Sequence, residues 1–146
     1  MNVQTILSAK GSDVATIDPA ATLADAVSTL RERGFGALVA SADGTSLDGI
    51  VSERDIVRSL AVDGPAALDT TVSTVMSVEV ITCRSSDRIE SLMSMMTERR
   101  IRHLPVVDDG GAISGMISIG DVVKFRLQQL EQENSQLHDY IQGNVG

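Results

Sequence analysis

Gly49-Ile50-Val51-Ser52-Glu53-Arg54-Asp55 returns 66 residues later as Gly115-Met116-Ile117-Ser118-Ile119-Gly120-Asp121. Extending that pairing outward gives a gapless match of residues 14–58 with 80–124. Twelve of its 45 positions are identical, from Val14/Val80 to Val57/Val123. Chance would supply roughly three at ordinary residue frequencies. Many other positions exchange one aliphatic residue for another, as in Leu23/Ile89, Leu30/Met96 and Phe35/Ile101. The chain is therefore two copies of one structural unit.

Each copy reads alike. An apolar segment at Val14–Ile17, and again at Val78–Thr82, predicts a strand. Leu23, Ala26, Val27 and Leu30 recur at i, i+3, i+4 and i+7, one face of a helix, and Ile89, Leu92, Met93 and Met96 repeat it. Thr22 with Asp25 resembles a capping box, and Gly34 is a stop signal. Phe35–Ala40 and Leu47–Ser52 flank the turn signal Asp43-Gly44; Ile101–Val107 and Ile113–Ile119 flank Asp109-Gly110. A second helix begins near Asp55 and near Asp121. The unit is β-α-β-β-α, so the fold class is α/β. Neither copy can bury a sufficient core alone at this size, so the two are expected to pack against each other through their sheets. The expected division is repeat 1 at 1–62, a linker at 63–72, repeat 2 at 73–127 and a C-terminal helical extension at 128–146.

The 146 residues carry 12 basic and 20 acidic side chains, a formal charge of −8. A pI near 4.6 disfavours binding to a phosphate backbone, and two Phe, one Tyr and no Trp offer few base-stacking platforms. With 42% apolar residues and mean hydropathy of +0.09, the composition is that of a globular chain. No apolar run reaches the roughly 20 residues of a membrane span, and the N-terminus does not read as an export signal. One cysteine, Cys83, excludes an internal disulfide and fits a reducing cytoplasm; with His103 and His138 it is too small a set for structural zinc. No nucleophile triad, carboxylate pair, metal spacing or Walker loop stands out, so no enzyme is expected.

The repeated Gly-x-x-Ser-x-x-Asp stretches resemble the closing motif of cystathionine-β-synthase (CBS) domains. Arg99-Arg100-Ile101-Arg102-His103-Leu104-Pro105-Val106-Val107-Asp108 is also similar to that family. The resemblance covers residues 3–127. It implies a CBS pair, a pseudo-two-fold Bateman module, that binds adenosine nucleotides in clefts between the repeats. The regulatory part of inosine-monophosphate dehydrogenase is similar, and it carries no catalysis. On the resemblance, Asp55 and Asp121 hold ribose diols, Ser52 and Ser118 phosphates, and Thr16 and Thr82 the pocket entrance. Arg54, Arg102, His103 and Pro105 complete the candidate set.

These residue types suit that chemistry. A glycine permits close approach of backbone or ligand. A serine three residues before an aspartate at a helix start gathers a hydroxyl and free N–H groups where an anion is favoured. The carboxylate accepts two hydrogen bonds from a diol. Equally, Ser and Asp are ordinary helix caps. Arg54 faces Gly120 in the repeat alignment, while Arg102 and His103 face Gly36 and Ala37, so each copy offers cations the other lacks. So few cations suit one or two phosphates better than three, which favours AMP, ADP or a dinucleotide such as NAD over ATP, with AMP first.

Val123, Leu127, Leu130, Asn134, Leu137 and Ile141 step by four and three residues, a heptad seam with one Asn. It predicts a homodimer. Tyr140-Ile141-Gln142-Gly143 resembles the tail of small stand-alone bacterial and archaeal two-CBS proteins. The expected function is a nucleotide sensor that signals to an unidentified protein partner. The alternative is a ligand-free dimeric scaffold, which has no need of a diol-binding carboxylate.

Overall fold

The computed structural model describes residues 1–143; residues 144–146 of the expected extension lie outside them. In chain order the elements are α1 (Val3–Lys10), β1 (Thr16–Ile17), α2 (Leu23–Arg33), β2 (Ala37–Ala40), β3 (Gly49–Ser52) and α3 (Glu53–Asp63). A 3-10 turn (Gly64–Asp69) follows, then α4 (Val72–Val75), α5 (Ile89–Arg99), β4 (His103–Val107), β5 (Ile113–Ser118) and α6 (Ile119–Gly143). Strand β2 lies between β1, parallel to it, and β3, antiparallel; β4 and β5 are antiparallel. The repeat survives in the register: Leu38 opposes Val51, Leu104 opposes Ile117, and all four are fully buried. Thr22 and Asp25 form the capping box of α2, and Gly34 ends that helix at φ 67°.

The strand expected at Val78–Thr82 does not form. What remains is a single parallel bridge from Cys83 to Val106. In the first copy Val39 N–H donates to the Ala15 carbonyl at 3.0 Å, and Ser41 N–H to that of Ile17 at 2.9 Å. In the second, Val107 N–H donates to the Cys83 carbonyl at 3.0 Å, but Pro105 stands where the first copy has Val39. Proline has no N–H to donate, so one rung is lost and the ladder shortens.

The two copies exchange their leading segments. Val3, Ile6 and Leu7 of α1 lie in one core with Ile89, Leu92, Leu104, Ile117 and Val122 from the second copy. Val72, with the half-buried Val75 and Met76, completes the other core around Leu23, Leu30, Leu38 and Val51. Equivalent bonds hold the two straps. Val3 N–H donates to the Asp87 carbonyl (2.9 Å) and Ile89 N–H to that of Met1 (3.3 Å). Likewise Val72 N–H donates to the Ala21 carbonyl (2.8 Å) and Leu23 N–H to that of Thr70 (2.9 Å). Residues 63–72 thus form a packed connection, with Ala67 fully buried in the 3-10 turn.

Gly49 and Gly115 are the seats of these straps. A Cβ on Gly115 would stand 2.8 Å from Leu7 Cδ2. One on Gly49 would stand 2.7 Å from Met76 Sδ and 2.9 Å from the Ser77 carbonyl oxygen. The close approach expected at the repeated glycine is therefore made by the chain itself.

Helix α6 buries Val122 and Phe125 and then leaves the domain. Along the heptad seam Leu127, Leu130, Leu137 and Ile141 are 44–57% exposed, and Asn134 is exposed with them.

Candidate functional site

Both Ser-x-x-Asp motifs close a helix N-terminus. At α3, Ser52 N–H and Oγ–H donate to Asp55 Oδ2 at 2.9 and 3.0 Å, and Asp55 N–H returns a bond to Ser52 Oγ at 3.3 Å. At α6, Ser118 N–H donates to Asp121 Oδ2 at 2.9 Å, and Asp121 N–H to Ser118 Oγ at 3.1 Å. The capping geometry therefore forms at both motifs. One oxygen of each carboxylate holds the cap, and the other, with two lone pairs, is left for a ligand.

Two clefts open onto these motifs. The Asp55 cleft, about 680 Å³, is lined by Ile50, Ser52, Glu53, Arg54, Asp55, Val57 and Arg58, and across from them by Gly36, Ser77 and Arg100–His103. The Asp121 cleft, about 490 Å³, is lined by Met116, Ser118, Ile119, Gly120 and Asp121, and by Lys10, Asp13–Ala15, Gly34–Ala37, Arg102 and His103. The repeat relation that carries Ser52 and Asp55 onto Ser118 and Asp121 also carries Gly34–Ala37 onto Arg100–His103. Each cleft is built from the closing motif of one copy and the α-to-β corner of the other. Aliphatic walls are present in both: Ile50, Val57 and Ile101 in one; Val14, Met116 and Ile119 in the other.

Of the expected residues, Ser52, Arg54 and Asp55 share the first cleft and Ser118 and Asp121 the second, with Arg102 and His103 on the wall common to both. Thr16, Thr82 and Pro105 line neither. Thr16 pairs with Val39 inside β1–β2. Pro105 is buried in β4, its carbonyl accepting from Cys83 N–H at 3.0 Å. Thr82 directly precedes Cys83, whose thiol is pushed up to about 12 by burial and by the nearby Asp87 charge, so it is an unreactive thiol.

His103 is expected to act as a cation, and its surroundings disfavour that form. Burial depresses its imidazole below the ordinary value, against upward pulls from Glu53 and Asp121 and with downward pushes from Arg102 and Lys10. Its ring packs where a Cβ on Gly36 would meet Nε2 at 3.2 Å. It stands on the wall shared by the two clefts.

Three site residues escape the sequence reading. Lys10, at the end of α1, donates from Nζ to Asp121 Oδ2 at 2.7 Å and to the Met116 carbonyl at 2.9 Å. Burial works to raise the Asp121 carboxyl, but Lys10 and the Ser118 bonds outweigh it and hold it below the usual carboxylate range. Arg100 has φ 55°, the one left-handed non-glycine residue among those described, at the position of Gly34 in the first copy. Arg58, one turn along α3 from Arg54, is the third. A readable signal existed for Arg100, since the alignment sets an arginine against a helix-ending glycine.

A family model described as the CBS domain matches residues 9–62 and 72–128. The chain is 40% identical over 126 residues to the CBS domain-containing protein CBSX3, mitochondrial, of Arabidopsis thaliana; this covers 84% of the chain and 61% of that protein's length. A crystal structure of a CBS-domain containing protein from Agrobacterium tumefaciens superposes with TM-score 0.82 at 41% identity, covering 86% of this chain and 92% of the other. A CBS domain protein from Pyrobaculum aerophilum, solved in complex with AMP, gives TM-score 0.73 at 25% identity, covering 83% and 89%. With two copies of the motif, two matched repeats and the paired clefts between them, the chain belongs to the CBS-domain family, as a tandem CBS pair.

Proposed function

We propose that this protein is a regulatory module that binds an adenosine nucleotide in its clefts and transmits occupancy to a partner protein. The observation that carries the reading is the geometry of the clefts. Each sets a carboxylate with one free oxygen at a helix N-terminus, between aliphatic walls and across from Arg102. A ribose diol suits the free oxygen, an adenine ring suits the aliphatic walls, and a phosphate suits the guanidinium. The AMP complex of the Pyrobaculum aerophilum protein supports the ligand class. AMP is the first candidate, with ADP, ATP and NAD as alternatives. On this reading the chain catalyses nothing itself and works in the cytoplasm. No helix among the described residues is long and apolar enough to cross a membrane.

The exposed seam of α6 supports a homodimer, and it equally suits the second reading, a ligand-free scaffold. A thermal-shift series with AMP, ADP, ATP, NAD and S-adenosylmethionine separates the two. A ligand at 100 times its Kd stabilises by about 2.7 kcal/mol, several degrees in Tm. Asp55→Ala and Asp121→Ala then report which cleft is occupied, because each loses a ribose contact. No shift with any of the five leaves the scaffold reading standing.

A further inference from the structure

We infer that the two clefts are chemically unequal, and that the Asp55 cleft takes an adenosine ligand bearing a chain of two or more phosphates. This rests on reading the clefts as adenosine sites. It goes further in naming which cleft takes charge and how much, and for the Asp55 cleft it puts a di- or triphosphate ahead of AMP.

The asymmetry lies in the side chains. Four guanidiniums line the Asp55 cleft: Arg54 and Arg58 on α3, and Arg100 and Arg102 at the opposite corner. They face two carboxylates, Glu53 and Asp55, in a chain whose formal charge is −8. Among the described residues none of the four makes an ion pair. The Asp121 cleft differs in its charges. Asp121 is paired with Lys10, and Asp13 with Arg33, which also lies 5.5 Å from the Phe35 ring centroid. Arg102, on the shared wall, is its one arginine. The inequality arises in the chain length before each repeat. Val3, Ile6 and Leu7 correspond to Val72, Val75 and Met76 at an offset of 69, against 66 elsewhere. The three additional residues let α1 run for eight residues where α4 has four, and they bring Lys10 to Asp121; the Asp55 cleft has no counterpart.

Arg100 strengthens the case. An arginine at φ 55° is held in a conformation that glycine adopts freely, and the first copy uses glycine there. Strain of this kind is retained where the side chain has a use. Each guanidinium can hold one phosphate through paired N–H donors, so two opposed pairs of arginines match a chain of phosphates better than a single one.

The test is calorimetry with adenosine, AMP and ADP on the full chain and on the double variant Arg58→Ala/Arg100→Gly. Glycine relieves the left-handed residue, and Arg58 is exposed on a helix, so the variant's unliganded Tm should equal or exceed the parent's. The expected result is ADP binding at least about tenfold tighter than AMP in the parent, with a steeper loss in KCl. The variant should bring ADP to within about twofold of AMP and leave adenosine unchanged within the same margin. Equal affinity for AMP and ADP in the parent, or an unchanged ratio in the variant, overturns the inference while the adenosine reading stands. Failure of all three ligands to bind the parent overturns the adenosine reading itself, and the inference with it.

Discussion

Gly115→Ala probes the exchange of straps directly. The added methyl would lie 2.8 and 3.2 Å from the two Leu7 methyl carbons and 3.6 Å from Cγ, where ordinary carbon contacts are about 3.5–4.0 Å. Leu7 is 6% exposed and packed in the second copy's core, so it has little room to turn away. Overpacking of this kind destabilises by about 1–3 kcal/mol, offset by roughly 0.5–1 kcal/mol from the lower chain entropy of alanine in a strand. The net loss should be about 1–2 kcal/mol, or roughly 2–8 °C in Tm at this chain length. Leu7→Ala alone should lose about 2–5 kcal/mol by opening a cavity. In the double variant the new methyl enters that cavity, so the two losses should fall short of additive by about 1–2 kcal/mol. Urea denaturation of all four proteins measures the coupling. Additivity within about 0.5 kcal/mol would show that Leu7 does not sit on Gly115, and the account of the repeated glycine would fail.

Three further outcomes are expected. Because burial lowers the folded pKa of His103, its neutral form fits the fold, so its contribution is intact above about pH 6.5 and declines as the pH falls through that value toward the folded one. Denaturant titrations from pH 8 to 5 should show this decline in the parent and a flatter profile in His103→Asn; identical profiles would refute it. Lys10→Met should cost about 1 kcal/mol at pH 7. The depressed Asp121 pKa makes that contribution present above about pH 3.9 and lost as the pH falls through the lower folded value, so the gap between parent and variant should narrow by pH 3. Truncation after Arg126 removes Leu127, Leu130, Leu137 and Ile141, each able to contribute at most about 1.5–3 kcal/mol when buried. Sedimentation should find a dimer of the full chain at micromolar concentration and a Kd at least about tenfold weaker after truncation; equal constants would place the dimer contact elsewhere.

The parts of the fold set by local chemistry were legible in the sequence. Thr22, Asp25 and Gly34 mark their helix whatever surrounds it, and both hairpins carry their own turn signals. Long-range effects were hidden. Val78–Thr82 has strand composition, but its pairing fails through Pro105, more than twenty residues away. The straps escaped because a gapless alignment at offset 66 cannot register segments related at 69, and Lys10 escaped with them. His103 illustrates a different limit. A sequence names a titratable group, and the burial that decides its charge belongs to the fold.

The exchange of straps also fixes an order in which the molecule can come into being. Synthesis makes α1 before the residues that house it, and Val3, Ile6 and Leu7 find their places only among Ile89, Leu92, Ile117 and Phe125. The first copy can close as soon as Val72–Met76 has emerged from the ribosome. Helix α1 stays unhoused, its apolar face open to water or to a chaperone, until the chain has been made through Phe125. Whatever the module senses, its second half becomes whole only when both ends of that span meet.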